Sequence, residues 1–266
     1  MRLTRLLARI PALPLLMAPL FVAQPFGAEQ ARAQAPSLDT IPPAQISAMI
    51  RAGSETYNGG TCIFCHAAGG RGSGARAPDL SDIEWLHSEG DVNGIAQTIF
   101  WGVKKEDMKA VKPRPRQMNP KGGMNLTFPE TFALSVYVWS LSQPELDPFV
   151  AAQAEFLDNV AMGDMAAARR VLDDAKQTWP DNLLMPENGM NLLGYKYLNS
   201  NTDLAIEIFE LNVELHPEAF NPWDSLAEGY MVRGDTQKAI ENYEKSLALD
   251  PTNQNAVEKL AELRGQ

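Results

Sequence analysis

Both cysteines of this 266-residue chain lie in one short segment, TCIFCH, at residues 61–66. Cys62 and Cys65 are three positions apart, and His66 directly follows the second cysteine. Such a pair could form a small-loop disulfide as in thiol oxidoreductases, but those motifs follow a strand, and no strand pattern precedes this one. A structural zinc site needs four ligands, whereas the other two of the chain's three histidines lie in separate contexts. Neither chemistry suits the segment well.

C-x-x-C-H is the attachment signal of c-type haem. Thioether bonds from Cys62 and Cys65 to the porphyrin would fix the helical turn between them, and His66 would direct its imidazole at the iron as the proximal ligand. Two flanking segments, AQISAMIRAGSETY at 44–57 and FPETFALSVYVWSL at 128–141, place apolar residues at helical spacing. The segment therefore predicts a covalent haem site between helices.

The ordered motifs around this segment resemble a class I c-type cytochrome domain. The matching pieces, from Pro43 to Ser142, are YNGGTCIFCH, APDLSDIEWLH, IFWGV, QMNPKGGMNLTFPE and VYVWSLS. APDLSDIEWLH looks particularly like cytochromes of respiratory chains, including dihaem subunits of haem–copper oxidases and electron acceptors of quinoprotein alcohol dehydrogenases. The resemblance implies an all-α cytochrome c fold over residues 44–145 with one covalently bound haem c, preceded by a short linker at 36–43.

The resemblance also assigns roles to individual residues. It makes the two cysteines the covalent anchors and His66 the proximal iron ligand. The carbonyl group of Pro78 would accept a hydrogen bond from the imidazole nitrogen that does not bind iron, and so orient the ring. Trp85, in the WLH segment, is implied to be a haem-contacting residue. His87, two positions later, stands where the family carries a surface side chain.

Three methionines compete for the sixth coordination position of the iron. Family members carry a methionine followed four and five residues later by two glycines, and Met118 meets this pattern with the glycines at 122–123. Asn119 stands where the family usually has proline. The resemblance therefore favours Met118 as the distal ligand, with Met124 as the runner-up and Met108 third. Met124 is read most simply as packing onto the haem edge.

The segment before Met118, VKKEDMKAVKPRPRQ, is longer and more basic than the family pattern. If it displaces Met118, the sixth position is open, and the haem could bind small ligands or reduce peroxide. Its positive charge either steers an acidic redox partner towards the haem or only belongs to a solvent-exposed loop with no special role. The seven basic residues in and just after this segment are Lys104, Lys105, Lys109, Lys112, Arg114, Arg116 and Lys121.

Residues 1–35 have the pattern of a secretory signal peptide. Three arginines precede a short apolar stretch that three prolines interrupt, and small residues end the segment at Ala35. The stretch is shorter than the ~20 residues of a membrane span. We therefore predict cleavage near Ala35, a periplasmic protein and no stable membrane span after cleavage. The remaining chain has 19 basic and 32 acidic residues, a charge balance that argues against nucleic acid as a partner.

Residues 149–266 contain an internal repeat: a degenerate first unit places Ala168 37 residues before Ala205, and the two later units recur at an offset of 34 residues. The positions that recur at this offset are Ala205 and Ala239, Phe209 and Tyr243, and Pro217 and Pro251. This pattern resembles the tetratricopeptide repeat and implies an α-solenoid of antiparallel helix pairs. The units are expected at about 149–181, 186–218 and 220–253, with a capping helix at 254–264.

These features together predict an exported one-electron carrier rather than an enzyme with its own substrate. The expected partners are a redox donor and acceptor, such as a quinoprotein dehydrogenase or a terminal oxidase, and a protein or peptide bound in the groove of the repeats. Two other classes stay open. One is a haem protein with an open sixth position that acts as a peroxidase or binds gases. The other is a partner-binding or assembly protein in which haem is structural.

Overall fold

The computed structural model describes residues 37–72, 77–109 and 117–265. The predicted signal peptide, the first linker residue and the middle of the basic segment, at 110–116, lie outside the described residues. Within the described part of the chain the secondary structure is helical, apart from one isolated antiparallel bridge between Val103 and Met118. The all-α prediction is therefore confirmed. None of the described helices is long and apolar enough to cross a membrane.

Among the residues described before position 141, the α-helices are α1 (Pro43–Gly59), α2 (Cys62–His66), α3 (Val92–Trp101) and α4 (Phe128–Ser140). Helices α1 and α4 each begin with a proline in the first turn, where its missing N–H has no cost. They pack face to face at Gly53, where a Cβ atom would collide with the Ala133 carbonyl group and with Tyr137. This close approach places the short helix α2 beside the end of α1.

Seven helices follow, and they are α5 (Pro148–Met162), α6 (Met165–Thr178), α7 (Glu187–Tyr197), α8 (Thr202–Leu215), α9 (Phe220–Arg233), α10 (Thr236–Leu249) and α11 (Gln254–Leu263). Asp and Asn side chains cap the first turns of several of them, as Asp164 does for α6 and Asn201 for α8. The pairs α5–α6, α7–α8 and α9–α10 lie over the three predicted repeat units, and α11 lies over the predicted capping helix. The small residues Ala205 and Ala239 are fully buried, as close helix packing within such pairs requires.

Buried side chains form two hydrophobic cores, whose border runs through the C-terminal helices. The first core joins α1–α4 to α5, α6, α7 and one face of α8, and the second joins the other face of α8 to α9–α11. Phe149 and Phe156 of α5 are buried in the same cluster as Tyr57 and Tyr137 of the N-terminal part. The first helix pairs of the C-terminal half are thus packed into the core that surrounds α2.

Candidate haem-binding site

A cavity of about 490 Å³ opens between α2, α3, α4 and the loop that follows residue 77. This volume is within the range of cofactor sites in proteins. Apolar side chains of α3 and α4 form part of its wall, among them Ile95, Ile99, Leu134 and Val138. The cavity lining includes each of the six residues predicted for the site, which are Cys62, Cys65, His66, Pro78, Trp85 and Met118.

Helix α2 presents the cysteines and the histidine to this cavity. Its residue Ile63 is only 1% exposed and anchors the helix in the core, whereas Phe64 is 52% exposed. Ala67 ends the helix with a positive φ of 62° and donates its N–H to the Ile63 carbonyl group. Because this conformation is unusual for a residue with a side chain, the reversal after His66 is held by its surroundings. Tyr57 contributes to this by donating its hydroxyl group to the Ala67 carbonyl group at 2.9 Å.

The His66 ring lies with its Nδ1 atom 3.2 Å from the carbonyl oxygen of Pro78. This is the contact that the family resemblance implied for Pro78. Burial lowers the pKa of His66, and the Pro78 carbonyl group opposes that shift. A neutral ring that donates Nδ1–H to Pro78 leaves Nε2 as the nitrogen available to a metal ion.

Burial also changes the pKa of the Cys62 thiol. It raises the pKa of Cys62 to about 11, because a thiolate is disfavoured away from water. Burial likewise raises the pKa of the neighbouring Tyr57 well above its ordinary value. The Cys62 thiol and the Tyr57 hydroxyl group are therefore both uncharged at neutral pH.

Met118 lines the cavity from the segment between α3 and α4. Its main chain pairs with Val103 through two hydrogen bonds of 2.8 and 2.9 Å, which fix the strand-like segment just before the turn at 120–123. The Thr61 hydroxyl group donates to the Gly122 carbonyl group at 2.6 Å and holds this turn against the start of α2. The segment that carries Met118 is thus tied both to the end of α3 and to the cysteine-bearing helix.

The two competing methionines occupy different places. Met108 also lines the cavity. Met124 packs with its sulfur beside Gly60, just before α2. His87, which the sequence placed at the surface, is half-buried and lines the same cavity, and its Nε2 atom has no hydrogen-bond partner among the described residues.

Sequence reasoning missed two parts of this site. Helix α3 supplies the apolar wall, and its signals were the capping residue Asp91 and the spacing of Val92, Ile95 and Ile99. Arg71 also lines the cavity, and no local pattern in the sequence marks it.

The donor set fits a covalently attached haem. Two thiols three residues apart, a neutral imidazole and a thioether converge on one apolar cavity of suitable size. A methionine thioether and a histidine imidazole are the axial donors of c-type cytochromes. The two cysteine thiols are the groups that form covalent bonds with the vinyl groups of the porphyrin. The residues that line the cavity are therefore those that the C-x-x-C-H motif and the predicted distal methionine require.

Comparison with protein families matches residues 50–142 to cytochrome c and residues 220–253 to the tetratricopeptide repeat. A comparison with curated proteins found no match. The two family matches confirm the resemblances drawn from the sequence motifs. Residues 50–142 are therefore a cytochrome c domain, which implies covalently bound haem c, and residues 220–253 are a tetratricopeptide repeat.

Proposed function

We propose that this protein is an exported c-type cytochrome that carries single electrons in a periplasmic respiratory or dehydrogenase-linked chain. The observation that carries the proposal is the convergence of Cys62, Cys65, His66 and Met118 on one apolar cavity. A cytochrome c domain supports electron transfer as its chemistry, and a tetratricopeptide repeat supports protein interaction.

In this proposal a single haem is bound through Cys62 and Cys65, with His66 as the proximal and Met118 as the distal ligand. When bound, the haem would supply one-electron chemistry between the ferrous and ferric states of its iron. The chain's own residues hold the coordination constant between these states, which suits rapid electron exchange. Pro78 orients the His66 ring, and the pairing of Met118 with Val103 limits the movement of the distal segment. A methionine opposite histidine favours a relatively high reduction potential.

Charge suggests how partners approach. Residues 36–148 hold 10 basic and 12 acidic residues, whereas residues 149–266 hold 9 basic and 20 acidic residues. Lys104, Lys105 and Lys109 are exposed near the cavity. We propose that they guide an acidic redox protein, such as a quinoprotein dehydrogenase or a terminal oxidase, and that the acidic repeats hold a second protein. Such steering acts mainly on the association rate.

The first test is optical spectroscopy of the full chain, expressed together with a periplasmic haem-maturation system. We expect a covalent, low-spin haem with the weak far-red band of a methionine–ferric iron bond. Met118→Ala should abolish this band and convert the ferric protein to a high-spin spectrum. Met124→Ala and Met108→Ala are the matched controls and should leave the band in place.

Other outcomes of this experiment would favour a different distal ligand or one of the two other functions. If Met124→Ala or Met108→Ala removes the band, that methionine is the distal ligand. A high-spin wild type whose reduced form binds carbon monoxide readily supports peroxide or gas chemistry instead of electron transfer. A low-spin haem that exchanges no electrons with any redox protein, while the chain still binds a partner through its repeats, supports the assembly role.

A further inference from the structure

One face of α5 lies against the segment that follows the proximal histidine. Ala154, Leu157 and Asp158 share this face because they are three and four positions apart. Leu157 packs on Gly69, whose φ of 61° and lack of a Cβ atom allow the contact, since a Cβ there would collide with Leu157. Helix α5 therefore contributes directly to the packing around the haem-attachment segment.

Arg71 forms the polar part of this contact. Its Nη2 atom donates to the Ala154 carbonyl group at 3.2 Å and lies 2.7 Å from the Asp158 carboxylate. The Arg71 side chain is 28% exposed and also lines the cavity beside His66 and Pro78. One guanidinium group thus touches both the wall of the haem cavity and a helix of the C-terminal half.

The backbone on one side of Arg71 is hydrogen-bonded to His66, and the backbone on its other side to the segment that carries Pro78. The Gly72 N–H donates to the His66 carbonyl group at 2.8 Å, and the Leu80 N–H donates to the Gly70 carbonyl group at 2.6 Å. The second of these bonds places the segment that carries Pro78 alongside Gly70. A displacement of residues 70–72 would therefore move the Pro78 carbonyl group relative to the His66 ring.

We propose that Arg71 is a positioning residue through which helix α5 fixes the orientation of the His66 ring. The C-terminal half is then a structural part of the proximal side of the haem site as well as a docking module. This inference rests on the proposed function, because it concerns His66 as an iron ligand. Its effect is carried by the Nη2 atom of the guanidinium group, which reaches the Ala154 carbonyl group and the Asp158 carboxylate at once.

A charge effect alone must be separated from positioning. A positive charge near the iron raises its reduction potential, so the loss of Arg71 would lower the potential even if His66 stayed in place. The electron paramagnetic resonance g-values of the ferric protein report the orientation of the axial ligands and respond little to a distant charge. Arg71→Lys keeps the charge but removes the planar guanidinium group that places Nη2 between its two acceptors, and it therefore separates the two effects.

The test uses the full-length haem protein and measures the ferric g-values together with the reduction potential. We expect Arg71→Gln and Arg71→Lys both to shift the g-values away from those of the wild type. Asp158→Asn, which keeps the bond to Ala154, should give a smaller shift in the same direction. Arg169→Gln is the matched control, because Arg169 pairs with Glu214 between α6 and α8, and it should change neither quantity.

The outcomes are distinct. If Arg71→Lys matches the wild type while Arg71→Gln changes only the potential, Arg71 acts by charge and the proposal is overturned. Wild-type g-values in both Arg71 variants overturn it as well. A wild type without covalent haem refutes the proposed function itself, and the inference falls with it.

Discussion

A single buried hydroxyl group connects the cytochrome c domain to the helices that follow it. Tyr137 of α4 donates its hydroxyl group to Gln153 Oε1 of α5 at 2.5 Å, and Gln153 Nε2 donates to the Leu184 carbonyl group at 2.8 Å. Both side chains are fully buried, and burial raises the pKa of Tyr137 to about 12. The hydroxyl group therefore stays protonated across the working range of pH and always acts as the donor in this network.

We expect Tyr137→Phe to lower the free energy of unfolding by about 1–2 kcal/mol, because it leaves a buried acceptor on Gln153 without its donor. Tyr243→Phe is the control. The Tyr243 side chain is equally buried, but its hydroxyl group has no hydrogen-bond partner among the described residues, so its removal should change the stability little. Urea unfolding of the two variants checks this. Equal losses in both would show that the Tyr137 network contributes nothing specific.

Helix α4 begins with a capping box formed by Thr127 and Glu130. The Thr127 side chain accepts from the Glu130 N–H, and the Glu130 carboxylate accepts from the Thr127 N–H at 2.7 Å. The Thr127 hydroxyl group also donates to the Glu130 carboxylate at 2.7 Å, and this bond first, then that from the Thr127 N–H, lowers the pKa of Glu130 below its ordinary value of 4.5. A carboxyl group with a depressed pKa in the folded state stabilises the fold above its unfolded pKa, and this contribution disappears as the pH falls through the folded value.

We therefore expect Glu130→Gln to lower the thermal midpoint at neutral pH and to converge with the wild type as the pH falls below about 4.5. Thermal unfolding followed by circular dichroism from pH 3 to 7 measures this. Glu145→Gln removes a charge at another exposed position and serves as the control for lost charge alone. A constant difference between Glu130→Gln and the wild type over the whole range would contradict the linkage to the capping box.

The elements differ in how far local sequence specifies them. Helices α1 and α4 were predicted from apolar spacing within a few helical turns, and the last repeat from positions that recur 34 residues apart. Helix α3 was not predicted, since it has only ten residues and a glycine in its first turn, which costs about 1 kcal/mol relative to alanine. Its stability comes from burying Ile95 and Ile99.

The contacts made by Arg71 lie beyond any local pattern. The residue that accepts its hydrogen bond is 83 positions away along the chain, and no periodicity pairs residues at such a distance. For the same reason the sequence indicated the motif residues of the candidate haem site but not that α5 packs against the segment that follows them. Predicting the motif required chemistry and spacing, whereas predicting the support required the tertiary fold.

At the scale of the whole molecule, the point where the cytochrome motifs give way to the repeats does not coincide with the boundary between the two hydrophobic cores. The motifs divide the chain near residue 148, yet Phe149, Val150, Phe156 and Leu157 of α5 are almost fully buried in the core shared with α1–α4. The second core, around Phe209 and Tyr243, is formed by α8–α11 and Leu198, with Tyr195 and Tyr197 at the end of α7 packed against it. The cytochrome c domain and the first helix pairs should therefore fold as one cooperative unit, with the last repeat less directly coupled to it.

Residues 148–266 expressed alone should consequently be less stable than the same helices in the full chain. Separation from α1–α4 exposes part of the apolar face of α5, and each such side chain contributes about 1.5–3 kcal/mol when it is fully buried. We expect the fragment to bind a hydrophobic dye and to unfold at lower urea concentration and less cooperatively than the full chain. Co-expression of 1–147 with 148–266 is the control, because the shared core should hold the two pieces together and suppress dye binding. A fragment that unfolds at the same urea concentration as the full chain, without binding dye, would show that the repeats are an independent domain and that the contacts of α5 add no stability.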